Sequence, residues 1–138
     1  WVARIAEVVD VPVIANGEIW TVEDYLCCRA ASGQRDVMLG RGAVADPFLL
    51  ERIRDRLAGR KPRAAHTDWV RVLPLLSDYW QAVRREVTPK HAPGRLKLWL
   101  KLLRRNYPQA ETLFQRFKPL RDAAAIDSQL QTITAAEA

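Results

Sequence analysis

The chain has 138 residues, is 49% hydrophobic and carries a formal net charge of +6, so it has enough apolar material for a buried core. It contains no apolar run long enough to span a membrane and no visible signal-peptide pattern. Its two cysteines, Cys27 and Cys28, are adjacent, which excludes a disulfide framework or a cysteine metal site and suits a reducing, cytoplasmic compartment.

Charge is segregated along the chain. Residues 1–59 hold seven Arg against nine Asp and Glu. Residues 60–121 hold fifteen Lys and Arg against four acids, a local charge of +11, and residues 122–138 hold three acids and no base. Like-signed charge confined to one region is the footprint of a polyanionic partner. The plain alternative is a solvated helical surface.

Trp1 opens what reads as a helix already under way through residue 9, with Val2, Ile5, Ala6 and Val9 at helical spacing. Val11 to Ala15 is short, apolar and β-branched, the composition of a strand buried on both faces of a parallel sheet. Asn16-Gly17 turns the chain. Thr21 is placed as an N-cap with Asp24 three residues later, so a helix is expected over 21–32, stopped by Gly33. A second unit follows: a strand over 36–40, the loop Gly40-Arg41-Gly42, then Asp46-Pro47 opening a helix over 47–58, with Phe48, Leu49, Ile53 and Leu57 toward the core. Two successive strands thus end in glycine-containing loops. Such loops are either plain βα turns or a phosphate site, with Arg41 adding a forked charged contact.

Gly59 to Arg63 is polar, basic and broken by Gly and Pro, so residues 59–66 read as a linker between domains 1–58 and 67–138. Beyond it the chain reads as all helical. Thr67 or Asp68 caps a helix whose Trp69, Val72, Leu73, Leu76, Trp80 and Val83 form one apolar face. Pro74 inside it is expected to bend the helix or delay its start. Thr88-Pro89 ends it. A helix over 94–106 turns Leu96, Trp99, Leu100 and Leu103 inward and Lys97, Lys101, Arg104 and Arg105 elsewhere, with Trp99 read as core. Shorter helices follow near 109–117 and 122–133, with a frayed tail after Thr134. His91 joins the basic surface, and His66 is assigned no role.

The stretches PVIANGEIW, DVMLGRGA and GRLKLWL together resemble the C-terminal portion of bacterial tRNA-dihydrouridine synthases, nearest the C subfamily that acts on the D-loop uridine at position sixteen. The resemblance runs from about Val2 to about Ile133. It implies an α/β plus all-α fold: the last two βα units of a (β/α)8 (TIM) barrel followed by a C-terminal helical bundle, in a truncated chain. It implies FMN at the barrel top, held here by Asn16, Gly17, Glu18, Gly40 and Arg41, with NADPH as reductant. In the family, hydride goes to C6 of the uracil and a catalytic Cys protonates C5. That Cys belongs to an earlier barrel loop, so no catalytic residue is expected here, and Cys27 and Cys28 do not match its position. No metal is implied. The resemblance makes tRNA the partner of the helical region, with Arg95, Lys97, Lys101, Arg104 and Arg105 as backbone contacts, then Lys90 and Arg116. The protein is expected to be a cytoplasmic monomer with no membrane partner. Two other readings stay open: a stand-alone RNA-binding helical module with a structural barrel remnant, and part of another phosphate-binding barrel enzyme.

Overall fold

A computed structural model describes residues 1–136, of which Ala136 is described by its backbone alone; Glu137 and Ala138, the end of the expected frayed tail, lie outside the described residues. The chain divides into two compact units, Trp1–Arg63 and the region from Ala64 onward.

The first unit contains helix α1 (Val2–Ala6), strand β1 (Ala15–Asn16), helix α2 (Val22–Ser32), strand β2 (Val37–Met38) and helices α3 (Arg41–Ala45) and α4 (Leu49–Leu57). The strands are parallel, with Ala15 opposite Val37 and Asn16 opposite Met38. A parallel pair joined through a helix is the βαβ arrangement that the sequence pattern implies. The capping at Thr21 is as expected. Its hydroxyl accepts from the Asp24 N–H at 3.0 Å and the Asp24 carboxylate accepts from the Thr21 N–H at 2.9 Å, closing a capping box. Gly33 ends α2 at φ 66°, a left-handed cap suited to a residue without Cβ. Val22, Leu49 and Ile53 form the buried core, with Tyr25, Leu26 and Leu39 against it.

Several boundaries differ from the sequence reading. The expected strand over 11–15 enters the ladder only at Ala15, and that over 36–40 is reduced to Val37–Met38. Each strand has one hydrogen-bonded neighbour among the described residues, and Pro12 has no N–H to offer a ladder. Val11, Ile14 and Met38 are exposed, so the apolar composition here is not matched by burial within the unit. The helix over 1–9 is confined to α1, with Ile5 and Val9 outside the core. The helix expected over 47–58 is α4, two residues shorter at its start and one at its end, and a short helix not expected from the sequence, α3, precedes it, ended by the extended backbone of Asp46. The Asp46 carboxylate accepts from the Phe48 N–H at 3.1 Å and from Arg52 Nε at 2.8 Å, both ionic partners being buried. Arg52 also donates to the Arg63 carbonyl at 3.1 Å, fastening the segment after α4. Leu57, expected inside, is exposed.

The second unit is a 3₁₀ turn (Ala65–Asp68) followed by α5 (Trp69–Glu86), α6 (Ala92–Leu103), α7 (Pro108–Phe117) and α8 (Ala123–Ala136). All six apolar positions expected on α5 are buried. Leu96, Leu100 and Leu103 of α6, Leu113 and Phe117 of α7, and Ile126, Leu130 and Ile133 of α8 are buried too, with α6 against α5, α7 and α8, and α8 against α5. Pro74 does not delay α5, which starts at Trp69 and runs through it. Pro74 and Val70, whose carbonyl loses its i+4 donor, are both exposed, so the helix tolerates the missing bond on its solvent side. Asp68 occupies the N-cap position but makes no capping bond; buried, it accepts from Arg71 Nη1 at 3.2 Å instead. Trp80 Nε1 donates to Asp127 at 2.6 Å and Arg84 pairs with the same carboxylate, tying α5 to α8. The helix expected over 94–106 starts earlier and ends earlier, with Pro93 in its first turn, where the missing N–H leaves no gap. α8 continues past Thr134 to Ala136.

Candidate functional site

The loops after β1 and β2 converge. Asn16, Glu18, Gly40 and Arg41 line one small cleft of about 170 Å³ together with Ile19, Trp20, Leu39 and Gly42. Asn16 and Gly17 also border an adjoining groove of about 410 Å³, with Glu18, Asp24 and both cysteines along its wall. All five residues singled out from the sequence for a ligand therefore lie at the same end of the strand pair. The parallel register puts them there: Asn16 is opposite Met38, so the turns that follow leave the ladder side by side.

The local backbone is held in conformations that few residues tolerate. Gly40 sits at φ 55° and ψ −129°, outside the regions open to residues with a Cβ. Glu18 has φ 46°, an uncommon setting for a residue other than Gly. Gly42 has a different reason to be glycine. A Cβ there would lie 1.8 Å from the Ile19 carbonyl oxygen and 2.9 Å from its carbon, so the two loops touch backbone to backbone.

The side chains form a linked polar group. Arg41 Nη2 lies 2.5 Å from Glu18 Oε1, Trp20 Nε1 donates to the other carboxylate oxygen at 2.9 Å, and the guanidinium rests 5.4 Å from the centre of the Trp20 ring. Glu18 and Trp20 thus orient Arg41, while both ends of the ion pair stay exposed. An exposed pair contributes little stability, and a guanidinium has further N–H donors beyond the one bonded to Glu18. Trp20 and Gly42 were not singled out in the sequence. Trp20 carries no motif of its own, and the second glycine of Gly40-Arg41-Gly42 is the one signal that pointed near Gly42. Cys27 is exposed and Cys28 half-buried, and no cluster of three His, Cys, Asp or Glu suited to a metal occurs among the described residues.

In the helical unit the expected basic positions point in several directions. Lys101 in the last turn of α6 and Arg105 in the turn that follows the helix are exposed, as are Arg95, Lys90 and Arg116. Lys97 is half-buried, and its ammonium donates to the Lys118 and Leu120 carbonyls at 3.0 and 2.5 Å, satisfying the C-terminal end of α7. Burial, and secondarily the charge of Arg121, lower its pKa. Arg104 pairs with Glu111 at 3.0 Å and covers the Phe114 ring. The Gln115 amide and Arg104 together hold the Glu111 carboxyl below the usual carboxylate range. Trp99 is half-buried and edge-packed on Tyr79, with centroids 4.7 Å apart.

A family model described as dihydrouridine synthase matches residues 1–136. A tRNA-dihydrouridine(16) synthase of Aquipseudomonas alcaligenes is 48% identical over 130 residues, 94% of this chain and 41% of that protein. One from Ralstonia nicotianae is 52% identical over 126 residues, 91% of this chain and 38% of that protein. One from Neisseria meningitidis serogroup A is 34% identical over 124 residues, 89% of this chain and 37% of that protein. The chain spans about two-fifths of the length of these relatives. With its two strand-end loops meeting in one cleft and a family match along residues 1–136, the chain belongs to the dihydrouridine synthase family.

Proposed function

We propose that this chain forms the C-terminal part of a flavin-dependent tRNA-dihydrouridine synthase that reduces the D-loop uridine at position sixteen. The observation that carries this reading is the meeting of Asn16, Gly17, Glu18, Gly40 and Arg41 beyond the ends of two parallel strands. In this reading β1 and β2 are the last two strands of a (β/α)8 barrel, whose other strands would cover the exposed Val11 and Ile14. The barrel part comprises residues 1–58, the linker 59–66 and the RNA-binding helical domain 67–138.

The residues fit an FMN phosphate. Gly40 has no Cβ to obstruct an approaching group, Asn16 offers an amide, and Arg41 offers a guanidinium already oriented by Glu18 and Trp20. When bound, FMN supplies the hydride chemistry, with NADPH as reductant. The chain's own residues bind and orient. Arg41 meets the phosphate, and Asn16, Gly17 and Glu18 form the neighbouring wall. No catalytic residue is assigned, since the family's proton-donating Cys corresponds to neither Cys27 nor Cys28.

The helical unit holds the tRNA so that the target base is extruded toward the flavin. Lys90, Arg95, Lys101, Arg105 and Arg116 neutralise phosphates, and Lys97 and Arg104 join them with part of their donors committed to α7. The protein works as a cytoplasmic monomer. No helix among the described residues is long and apolar enough to cross a membrane.

Two results follow. Incubated with FMN, NADPH and unmodified tRNA, the 138-residue chain forms no dihydrouridine, whereas the full-length synthase that carries it modifies position sixteen. Dihydrouridine made by the chain alone overturns the assignment of catalysis to residues outside it. In the full-length protein, Arg41→Ala weakens FMN binding by about 1.5 kcal/mol, roughly tenfold, the low end for a charge-assisted hydrogen bond because the group is exposed. Fluorescence titration of apoprotein with FMN measures this. An unchanged affinity would make Arg41 a purely structural partner of Glu18.

A further inference from the structure

The helical unit contains a groove of which the assignments above use one residue, Arg116. It measures about 330 Å³ and is lined by Trp69, Gln109, Thr112, Leu113, Arg116, Thr132 and Ile133. Gln109, Thr112, Leu113 and Arg116 recur at helical spacing along one face of α7. Trp69 comes from the start of α5, and Thr132 and Ile133 from the last turns of α8.

Its chemistry is selective. Trp69, Leu113 and Ile133 provide apolar walls, while the Gln109 amide and the two threonine hydroxyls both donate and accept. Arg116 is the only charged group in the lining, and no carboxylate lines the groove among the described residues. Glu111, the acid of α7, lies roughly 150° around the helix from this face at about 100° per residue, where it meets Arg104 and Gln115. Asp127 of α8 is engaged by Trp80 and Arg84.

A slot with apolar walls, neutral two-way hydrogen-bonding groups and one cation at the rim suits a flat heterocycle with an anion attached. We propose that this groove receives an unpaired nucleobase of the bound tRNA, with Arg116 on the adjoining phosphate. The proposal rests on the reading of the helical unit as the RNA-binding part, and the +11 charge of residues 60–121 is what favours RNA over an acidic peptide as occupant. Bases read by edge hydrogen bonds in such slots are single-stranded ones. The groove thus adds a point of recognition to backbone contacts that hold any RNA alike.

The test is tRNA binding by the full-length synthase over a salt series, comparing Thr112→Trp, Arg116→Ala and the double reversal Lys101→Glu/Arg105→Glu. Thr112 and Arg116 are exposed, so thermal melting and the flavin spectrum should match the wild type. Thr112→Trp fills the slot and should weaken binding about tenfold with an unchanged salt slope, the loss expected when one base loses its stacking site. Arg116→Ala should flatten the slope by about one contact. In parallel, tRNA carrying 4-thiouridine should crosslink on irradiation to the α7 peptide. Wild-type affinity in both single variants, with crosslinks only to other peptides, overturns the groove while the double reversal still impairs binding. If the double reversal is also silent, the RNA-binding reading of the whole unit fails. Competition by an acidic peptide, with no crosslink to RNA, identifies a protein partner and overturns the proposal.

Discussion

Gly42→Ala is expected to destabilise the first unit and abolish stable FMN retention together. The added methyl would lie 1.8 Å from the Ile19 carbonyl oxygen. The obstructing atom is backbone, and Ile19 is itself almost wholly buried, so no rotamer change relieves the overlap. Leu49 Cδ2, 3.3 Å from the same point, closes the other side. Overpacking of this kind costs up to about 3 kcal/mol or more. The chain must move either α3 or the 17–20 loop, and each carries half of the cleft. Thermal melting and FMN titration of the full-length variant measure both effects. Gly94→Ala is the control, because space around Gly94 is open. It should leave both values intact or improve stability, since alanine is the better helix residue. Wild-type stability and flavin affinity in Gly42→Ala would mean that the two loops are not in backbone contact.

Reversing Lys101 and Arg105 to Glu should weaken tRNA binding by well over tenfold at low salt. Lys101 lies in the last turn of α6 and Arg105 in the turn just after it, and both are exposed. Removing two phosphate contacts reduces the slope of log affinity against log salt by about 1.4–1.8, and the two new carboxylates add repulsion. The loss should be similar for unrelated tRNAs, since phosphate contacts position without reading sequence. Lys97→Glu serves a different purpose. It removes the donor to the Lys118 and Leu120 carbonyls and should show itself first as lower thermal stability. Unchanged affinity and slope in a folded Lys101/Arg105 double variant would move the RNA contact away from the C-terminal end of α6.

The sequence by itself determined the local elements whose signals are contained within one turn. The capping box at Thr21 and Asp24, the left-handed stop at Gly33 and the six-residue apolar face of α5 needed no distant partner to be read. It also determined which loops would meet, because two consecutive βα units of parallel strands bring their carboxyl ends side by side. Strand length was decided by tertiary structure, since a ladder exists only where a partner supplies hydrogen bonds; Val11 to Ile14 have strand composition but lie outside the ladder. The start of a helix after Asp46 was legible, but α3 before it was not, since residues 41–45 carry a glycine and no cap; nor was the buried pairing of Asp46 with Arg52, six residues away. The largest change concerns charge. A run of lysines and arginines gives the sign of a surface but not which cations have been drawn into the fold. Only packing showed that Lys97 holds the end of α7 and Arg104 holds Glu111, while Lys101 stays exposed. The physical reason is that helix-end carbonyls and neighbouring carboxylates on other elements compete for the same donors that a phosphate would use. That competition is settled by three-dimensional position and not by spacing along the chain.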